Sequence, residues 1–261
     1  MKKNVIILTH GWTGSSVFTA LLGEAGYWYG NTTFKKPDYD TYENLKLIEL
    51  NNRLLTELDY TGSREHDIIS FEILDELAHR ATSIDLNPYR EFIATCQQNK
   101  PWIWKDPRLV LTIRIWAKLL PLDEIAFMIL TRDSEQSWIT ANLRRHIESP
   151  AFTRLYNAAI TDGLKKFLKE NQQDYIEFMF EDLQLTPEET IAKINDFLGI
   201  HLTMDNVKSV YKFPLYKKTK GPKEKLLAWL IYLKNYRLRY DVSSQEKLKA
   251  IKRPQGVIRA E

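Results

Sequence analysis

Cysteine is nearly missing: Cys96 is the single one in 261 residues. That excludes a disulfide framework and a cysteine-rich zinc site, and it fits a reducing compartment. Long apolar runs are missing too. The longest, Leu226 to Leu233, has 8 residues, against the roughly twenty that a membrane-spanning helix needs. Met1-Lys2-Lys3 imitates the basic start of a signal peptide, but the apolar stretch behind it ends at Leu8, before Thr9 and His10. That is too short for an export signal, and the expectation is a soluble, cytoplasmic protein. No internal repeat, low-complexity tract or linker breaks the chain, which predicts a single domain over 1–261. What is plentiful is apolar and aromatic content, 44% and 12%, enough for a proper core and incompatible with global disorder.

Net charge is also small, +3, but it hides a split. Residues 208–261 carry 15 basic and 4 acidic side chains, net +11, leaving 22 against 30, net −8, for residues 1–207. Such a tail is expected to meet something anionic: nucleic acid, a membrane surface, an acidic polymer or the acidic body of the protein itself.

Asn4–Thr9 is a short β-branched apolar run, the pattern of a strand buried on both faces of a parallel sheet. A turn, His10-Gly11-Trp12-Thr13-Gly14-Ser15-Ser16, leads into a helix over 17–25. Further strands are predicted at 102–104, 125–130 and 175–180. Helices are predicted at 43–60, 65–82, 88–98, 109–120, 134–147, 152–170 and 186–198, and residues 31–42 read as loop. Strands alternating with helices predict an α/β fold, a central parallel sheet with helices on both faces.

In such sheets ligands sit beyond the carboxyl ends of the strands. The first strand ends in the Gly/Ser/Thr loop, whose N–H groups and helix dipole form an anion cradle. Thr13, Ser15 and Ser16 add hydroxyl donors. The second strand ends in Lys105-Asp106-Pro107-Arg108 and the third in Arg132. Each cation alone reads as a solvated charge; three strand ends delivering donors and cations to one edge point to a phosphate- or sulfate-bearing ligand. The P-loop pattern of ATP and GTP hydrolases is absent, because Gly14-Ser15-Ser16 lacks its lysine. Gly11 and Gly14 stand three apart, which does not fit the dinucleotide fingerprint. With no acidic strand end to hold a metal, the expectation is a nucleotide neutralised by Lys, Arg and backbone donors, without a metal.

Together these features resemble the sulfotransferases that use 3′-phosphoadenosine 5′-phosphosulfate (PAPS), in five segments between about residues 5 and 200. Trp12-Thr13-Gly14-Ser15-Ser16 resembles the family's 5′-phosphosulfate loop. Thr41-Tyr42-Glu43 with the run Leu47–Leu55 is similar to the Phe/Tyr-Glu segment of bacterial and tyrosyl-protein-type members. Trp104-Lys105-Asp106-Pro107-Arg108-Leu109 resembles the Lys-Asp-Pro motif. Arg132, Thr140 and Arg144 match the 3′-phosphate motif, Arg with Ser eight residues on and Arg four beyond. Phe180-Glu181-Asp182-Leu183, with Pro187-Glu188 and Phe197-Leu198-Gly199-Ile200, resembles the family's Tyr-Glu-Asp-Leu stretch. The resemblance implies a P-loop-like sulfotransferase fold and Glu43 as general base, with His10 and His66 as rivals. It implies Lys105 as the cation on the bridging oxygen and Asp106 orienting Lys105 through the backbone. The donor would be held by Gly11, Trp12, Thr13, Gly14, Ser15, Ser16, Arg108, Arg132, Thr140 and Arg144, with Lys218 and Lys220 on a basic lid loop; the product would be adenosine 3′,5′-bisphosphate.

One position departs. The family's loop Arg or Lys falls on Trp12, leaving Lys105, Arg108, Lys35, Lys36 or a tail lysine to substitute. The acceptor implied is a hydroxyl, on a saccharide first, on a lipid or small metabolite otherwise; a nucleotide-binding protein without transfer is the non-enzyme alternative. Lys225–Tyr240 reads as a basic amphipathic helix, docked on the acidic body or lying on an anionic membrane. No nucleic-acid motif accompanies the tail's charge. The sequence leaves the oligomeric state open.

Overall fold

The computed structural model describes residues 3–37, 39–60, 62, 69–210 and 220–239. Its centre is a four-stranded sheet of β1 (Asn4–Thr9), β4 (Ile103–Lys105), β5 (Ile125–Thr131) and β6 (Tyr175–Met179), ordered β4-β1-β5-β6. All pairings are parallel, with Ile7 opposite Lys105 and Thr9 opposite Leu130. Every residue of β1 is buried, which is why its sequence is a continuous apolar run rather than an alternating one.

Side chains alternate across the strands. Ile6, Leu8, Phe127 and Ile129 face one core, covered by α2 (Leu45–Glu57), α3 (Phe71–Arg80), α4 (Asn87–Gln98), α5 (Leu109–Trp116) and α7 (Pro150–Glu170). Val5, Ile7, Met128 and Leu130 face the other, under α1 (Ser15–Glu24), α9 (Pro187–Leu198) and α10 (Met204–Val210). The expected parallel sheet with helices on both faces is what the chain forms. Phe92, Trp102, Trp104 and Trp116 stack in one cluster, with ring centroids 4.8 to 6.1 Å apart.

Three features differ from expectation. Residues 31–42 are not all loop: β2 (Thr33–Lys35) and β3 (Asp40–Asn44) form an antiparallel hairpin. Short, polar and half-exposed, the hairpin has neither strand's apolar alternation. Glu43 therefore sits in a strand, and Asn44, whose side chain accepts a bond from Lys46 N–H, caps α2. Two short helices were also illegible, α8 (Asp182–Leu185) and α10. Finally, the tail helix α11 (Pro222–Lys234) docks on α6 (Ser134–Leu143) mainly through apolar contact. Ala228, Ile231 and Tyr232 meet Trp138 and Ile139, and Lys225–Glu135 adds one ion pair at 2.6 Å.

Candidate functional site

Because β1 lies between β4 and β5, the ends of three strands open on one cleft of about 420 Å³, a volume suited to a small-molecule ligand. The cleft is lined by Gly11, Trp12, Thr13, Gly14, Ser15, Ser16, Glu43, Lys105, Arg108, Arg132, Thr140 and Arg144. Residues up to 133 positions apart in sequence, from four separate segments, thus meet at one edge of the sheet. Lys220 is not brought there. Its N–H donates to Gln136 Oε1 at 2.6 Å and its carbonyl accepts from Gln136 Nε2 at 3.1 Å. Lys218 and His66 lie outside the described residues.

The loop owes its shape to two left-handed residues, Trp12 (φ 67°) and Gly14 (φ 72°). At Gly14 a Cβ would stand 2.2 Å from the Phe180 ring, so both backbone and packing demand glycine. Gly14 is the N-cap of α1 and directs that helix's first N–H groups at the cleft. Thr13 differs from expectation: its hydroxyl is buried against Thr9 Oγ1 and the His10 carbonyl, holding the loop's base.

Lys105, the last residue of β4, is wholly buried, and its Nζ donates to Glu43 Oε1 at 2.8 Å. Ser16 Oγ stands 3.5 Å from the same nitrogen. Burial lowers the ammonium's pKa from the usual lysine value, Glu43 and Asp106 oppose that, and Lys36 adds to it. A buried cation of this kind needs its carboxylate, and Glu43 reaches it only because the hairpin crosses the cleft. The expected role of Asp106 takes a specific form. Its Oδ1 accepts from the Arg108 N–H at 3.0 Å and from Arg108 Nη1 at 2.9 Å, pinning the backbone just beyond Lys105.

Asn51 was missed as a supporting residue. Fully buried on α2, it donates to Asp106 Oδ2 at 2.8 Å and accepts from Thr112 Oγ1 at 2.8 Å and Trp116 Nε1 at 2.7 Å. The available signal was a single amide on the stripe Leu47, Leu50, Leu54. Arg108 gives its Nε to Asn52 at 2.6 Å, so much of its guanidinium serves the scaffold.

Arg132 leaves the end of β5 between two anchors, Glu181 Oε1 at 3.4 Å and the Trp12 carbonyl, which accepts from Nη1 at 2.8 Å. Its guanidinium lies 5.3 Å from the Phe180 ring centroid. Glu181 also accepts the Asp133 N–H at 3.2 Å. Arg132 therefore fastens the loop to β5 as well as facing the cleft. Thr140 and Arg144 stand one helical turn apart. The Thr140 hydroxyl is buried without a hydrogen-bond partner among the described residues, while lining the cleft.

His10 is buried and bonded through Nδ1 to the Gly11 carbonyl at 2.8 Å. Desolvation drops its pKa to about 4, so the ring is neutral at ordinary pH. Its Nε2 is buried on the cleft without a partner among the described residues. These two orphaned atoms, Thr140 Oγ1 and His10 Nε2, fit a ligand that completes their hydrogen bonding. Among the described residues no cluster of His, Cys, Asp and Glu could hold a metal ion.

No family model matches the chain, and no curated protein matches it in sequence. Among solved structures it is similar to the sulfotransferase domain of the Synechococcus olefin synthase. The two share 17% identity and a TM-score of 0.49 over 85% of this chain and 83% of that one. It is similar to a Mycobacterium avium sulfotransferase, with 14% identity and a TM-score of 0.44 over 90% and 76%. A retinol dehydratase solved with androsterone and the inactive cofactor PAP gives 14% identity and a TM-score of 0.38 over 89% and 80%. Fold and site define an open parallel α/β protein with an anion-type cleft at its strand ends.

Proposed function

We propose that the protein is a sulfotransferase taking its sulfuryl group from PAPS and giving it to an acceptor hydroxyl, first of all on a saccharide. The observation that carries the reading is the Glu43–Lys105 pair, a carboxylate and a buried ammonium 2.8 Å apart, opening on the same cleft as the Gly14–Ser16 helix start and Arg132.

When bound, the donor supplies a sulfuryl group whose S–O bond to the 5′-phosphate oxygen breaks as a bond to the acceptor oxygen forms. The helix N-terminus and the Ser16 hydroxyl hold its 5′ end. Arg132, Thr140 and Arg144 hold the 3′-phosphate, for which a planar guanidinium suits two phosphate oxygens at once. Glu43 takes the acceptor hydroxyl's proton on a carboxylate oxygen. Lys105 Nζ, beside it, stabilises the charge that grows on the leaving oxygen. Asp106 and Asn51 keep β4 and α5 in place beneath that nitrogen. On the acceptor side Tyr39, Tyr156 and Glu148 line the cleft and suit the faces and hydroxyls of a sugar. Phe34, Ile48 and Ile160 line it as well and favour, as a second reading, a small apolar acceptor.

Titration with adenosine 3′,5′-bisphosphate and adenosine 5′-phosphate tests the donor site. Arg132→Ala is expected to weaken the bisphosphate far more than the monophosphate. Equal losses would contradict the 3′-phosphate role.

A further inference from the structure

Trp12 stands where the resemblance calls for a cation, and it cannot neutralise the donor's 5′ end. Arg132 holds its carbonyl, and Trp12 lines the cleft. Two cations approach that ring, Lys36 Nζ at 5.4 Å and Arg144 Cζ at 5.2 Å from its centroid. Lys36 comes from the hairpin tip, just past β2. Its N–H donates to the Tyr39 carbonyl at 2.9 Å, and Thr41 Oγ1 donates to the Phe34 carbonyl at 2.6 Å. Its ammonium also lies 5.7 Å from the Tyr39 ring.

Lys36 is half-buried on the cleft lining and has no carboxylate within ion-pairing distance among the described residues. It faces Lys105 closely enough for its charge to disfavour that ammonium. Glu43 is paired with Lys105, so it leaves Lys36 unanswered. A partly desolvated cation resting on ring faces is held more weakly than one that meets an anion. Lys35, the neighbouring candidate, points away: it is exposed and absent from the lining.

We propose that Lys36 supplies the positive charge missing from the loop, reaching over Trp12 to bind the 5′-phosphate end of the donor. The assignment rests on the sulfotransferase reading. It makes the hairpin part of the donor site as well as the carrier of the base.

The test is calorimetric titration of the full chain with adenosine 5′-phosphate, adenosine 3′-phosphate and adenosine 3′,5′-bisphosphate. Lys36→Ala is expected to lose about tenfold or more in affinity for the two ligands bearing a 5′-phosphate, and to bind adenosine 3′-phosphate as before. Adding Trp12→Lys to Lys36→Ala is expected to restore most of the loss. Position 12 is left-handed already, so lysine strains it no more than tryptophan does. A purely structural role for Lys36 would give no such rescue. A wild-type protein that binds the bisphosphate while Lys36→Ala binds all three unchanged overturns this assignment alone. A wild-type protein that binds none of the three overturns the sulfotransferase reading, and this assignment with it.

α11 carries a second, independent signal, because it is apolar on two opposite faces. Ala228, Ile231 and Tyr232 are buried against α6, while Leu226, Leu230 and Leu233 on the far side are 62%, 57% and 60% exposed. Leu238 lies beyond them at 72%. Residues 220–239 hold six cations (Lys220, Lys223, Lys225, Lys234, Arg237 and Arg239) against one acid, Glu224. A leucine face edged by cations is the composition that seats on anionic headgroups.

We infer that this outer face docks on an anionic bilayer surface. The full chain is expected to co-sediment with vesicles containing phosphatidylglycerol and to stay in the supernatant with pure phosphatidylcholine. Leu230→Gln with Leu233→Gln should abolish the pelleting and leave the fold intact, since both side chains are exposed. Absence of wild-type pelleting overturns the inference. So does a concentration-dependent dimer that the same substitutions dissolve, which would assign the face to a second copy.

Discussion

The two walls of the cleft hold their cations differently. On the strand-end wall each cation is answered by an acid, Lys105 by Glu43, Arg108 by Asp106 and Arg132 by Glu181, and Lys105 and Arg132 are buried as well. On the hairpin and α6 wall, Lys36 and Arg144 rest on the Trp12 ring. Desolvation explains the contrast. A buried charge without its partner costs several kcal/mol, whereas a cation at the mouth keeps part of its water and tolerates the weaker hold of a π face. The first wall is therefore a fixed scaffold, and the second is the one whose cations can turn to a ligand. Glu43 joins them: it belongs to the hairpin and pairs with β4.

The sharpest way to break that junction is Glu43→Gln. It is expected to cut turnover by roughly two to four orders of magnitude, the size of a general-base contribution, with bisphosphate binding nearly intact. Steady-state assays at saturating donor check this, and near-normal turnover removes Glu43 as the base.

Next in size is acid sensitivity of the scaffold wall. The folded pKa of His10, about 4, lies below the ordinary histidine value of 6.5, so the folded state resists protonation. Its contribution to stability is complete above about pH 6.5 and is lost as pH falls toward 4, amounting to roughly 3 kcal/mol. Urea unfolding across that range should show His10→Gln losing less stability on acidification than wild type. Parallel pH profiles would contradict the burial of a neutral ring.

Gly14→Ala, which forces a methyl into Phe180 at a left-handed position, is expected to cost about 1–3 kcal/mol. A thermal melt unchanged from wild type would rule out the loop geometry. The smallest effect belongs to the exposed pair Lys225–Glu135, where Lys225→Ala should change stability by less than about 1 kcal/mol. A larger loss would mean that charge, not the apolar Trp138–Tyr232 contact, docks α11.

The scaffold wall was legible in the sequence because its residues sit at the ends of buried apolar runs. Asn4–Thr9 and Ile125–Leu130 announce strands, and the residues just beyond such a strand in a parallel sheet must face the carboxyl edge. The hairpin wall was not legible. Thr33–Lys35 and Asp40–Asn44 are short, polar and half-exposed, so no periodicity marks them, and Glu43 read as the first acid of a helix. The resemblance still placed Glu43 at the site. It could not show that Lys36, a few residues upstream, folds back over Trp12, because that contact depends on the hairpin turn. Lys225–Tyr240 read as a basic amphipathic helix, but its apolar residues did not show which face meets the body. The helix docks through Ala228, Ile231 and Tyr232, with the Trp229 ring against Trp138 of α6.

Sulfuryl transfer itself is decided by incubating the full chain with sulfate-labelled PAPS and a panel of saccharide, lipid and small hydroxyl acceptors. Time-dependent transfer of label to an acceptor hydroxyl is expected, strongly reduced in Glu43→Gln. Tight binding of adenosine 3′,5′-bisphosphate with no label reaching any acceptor would contradict a sulfotransferase.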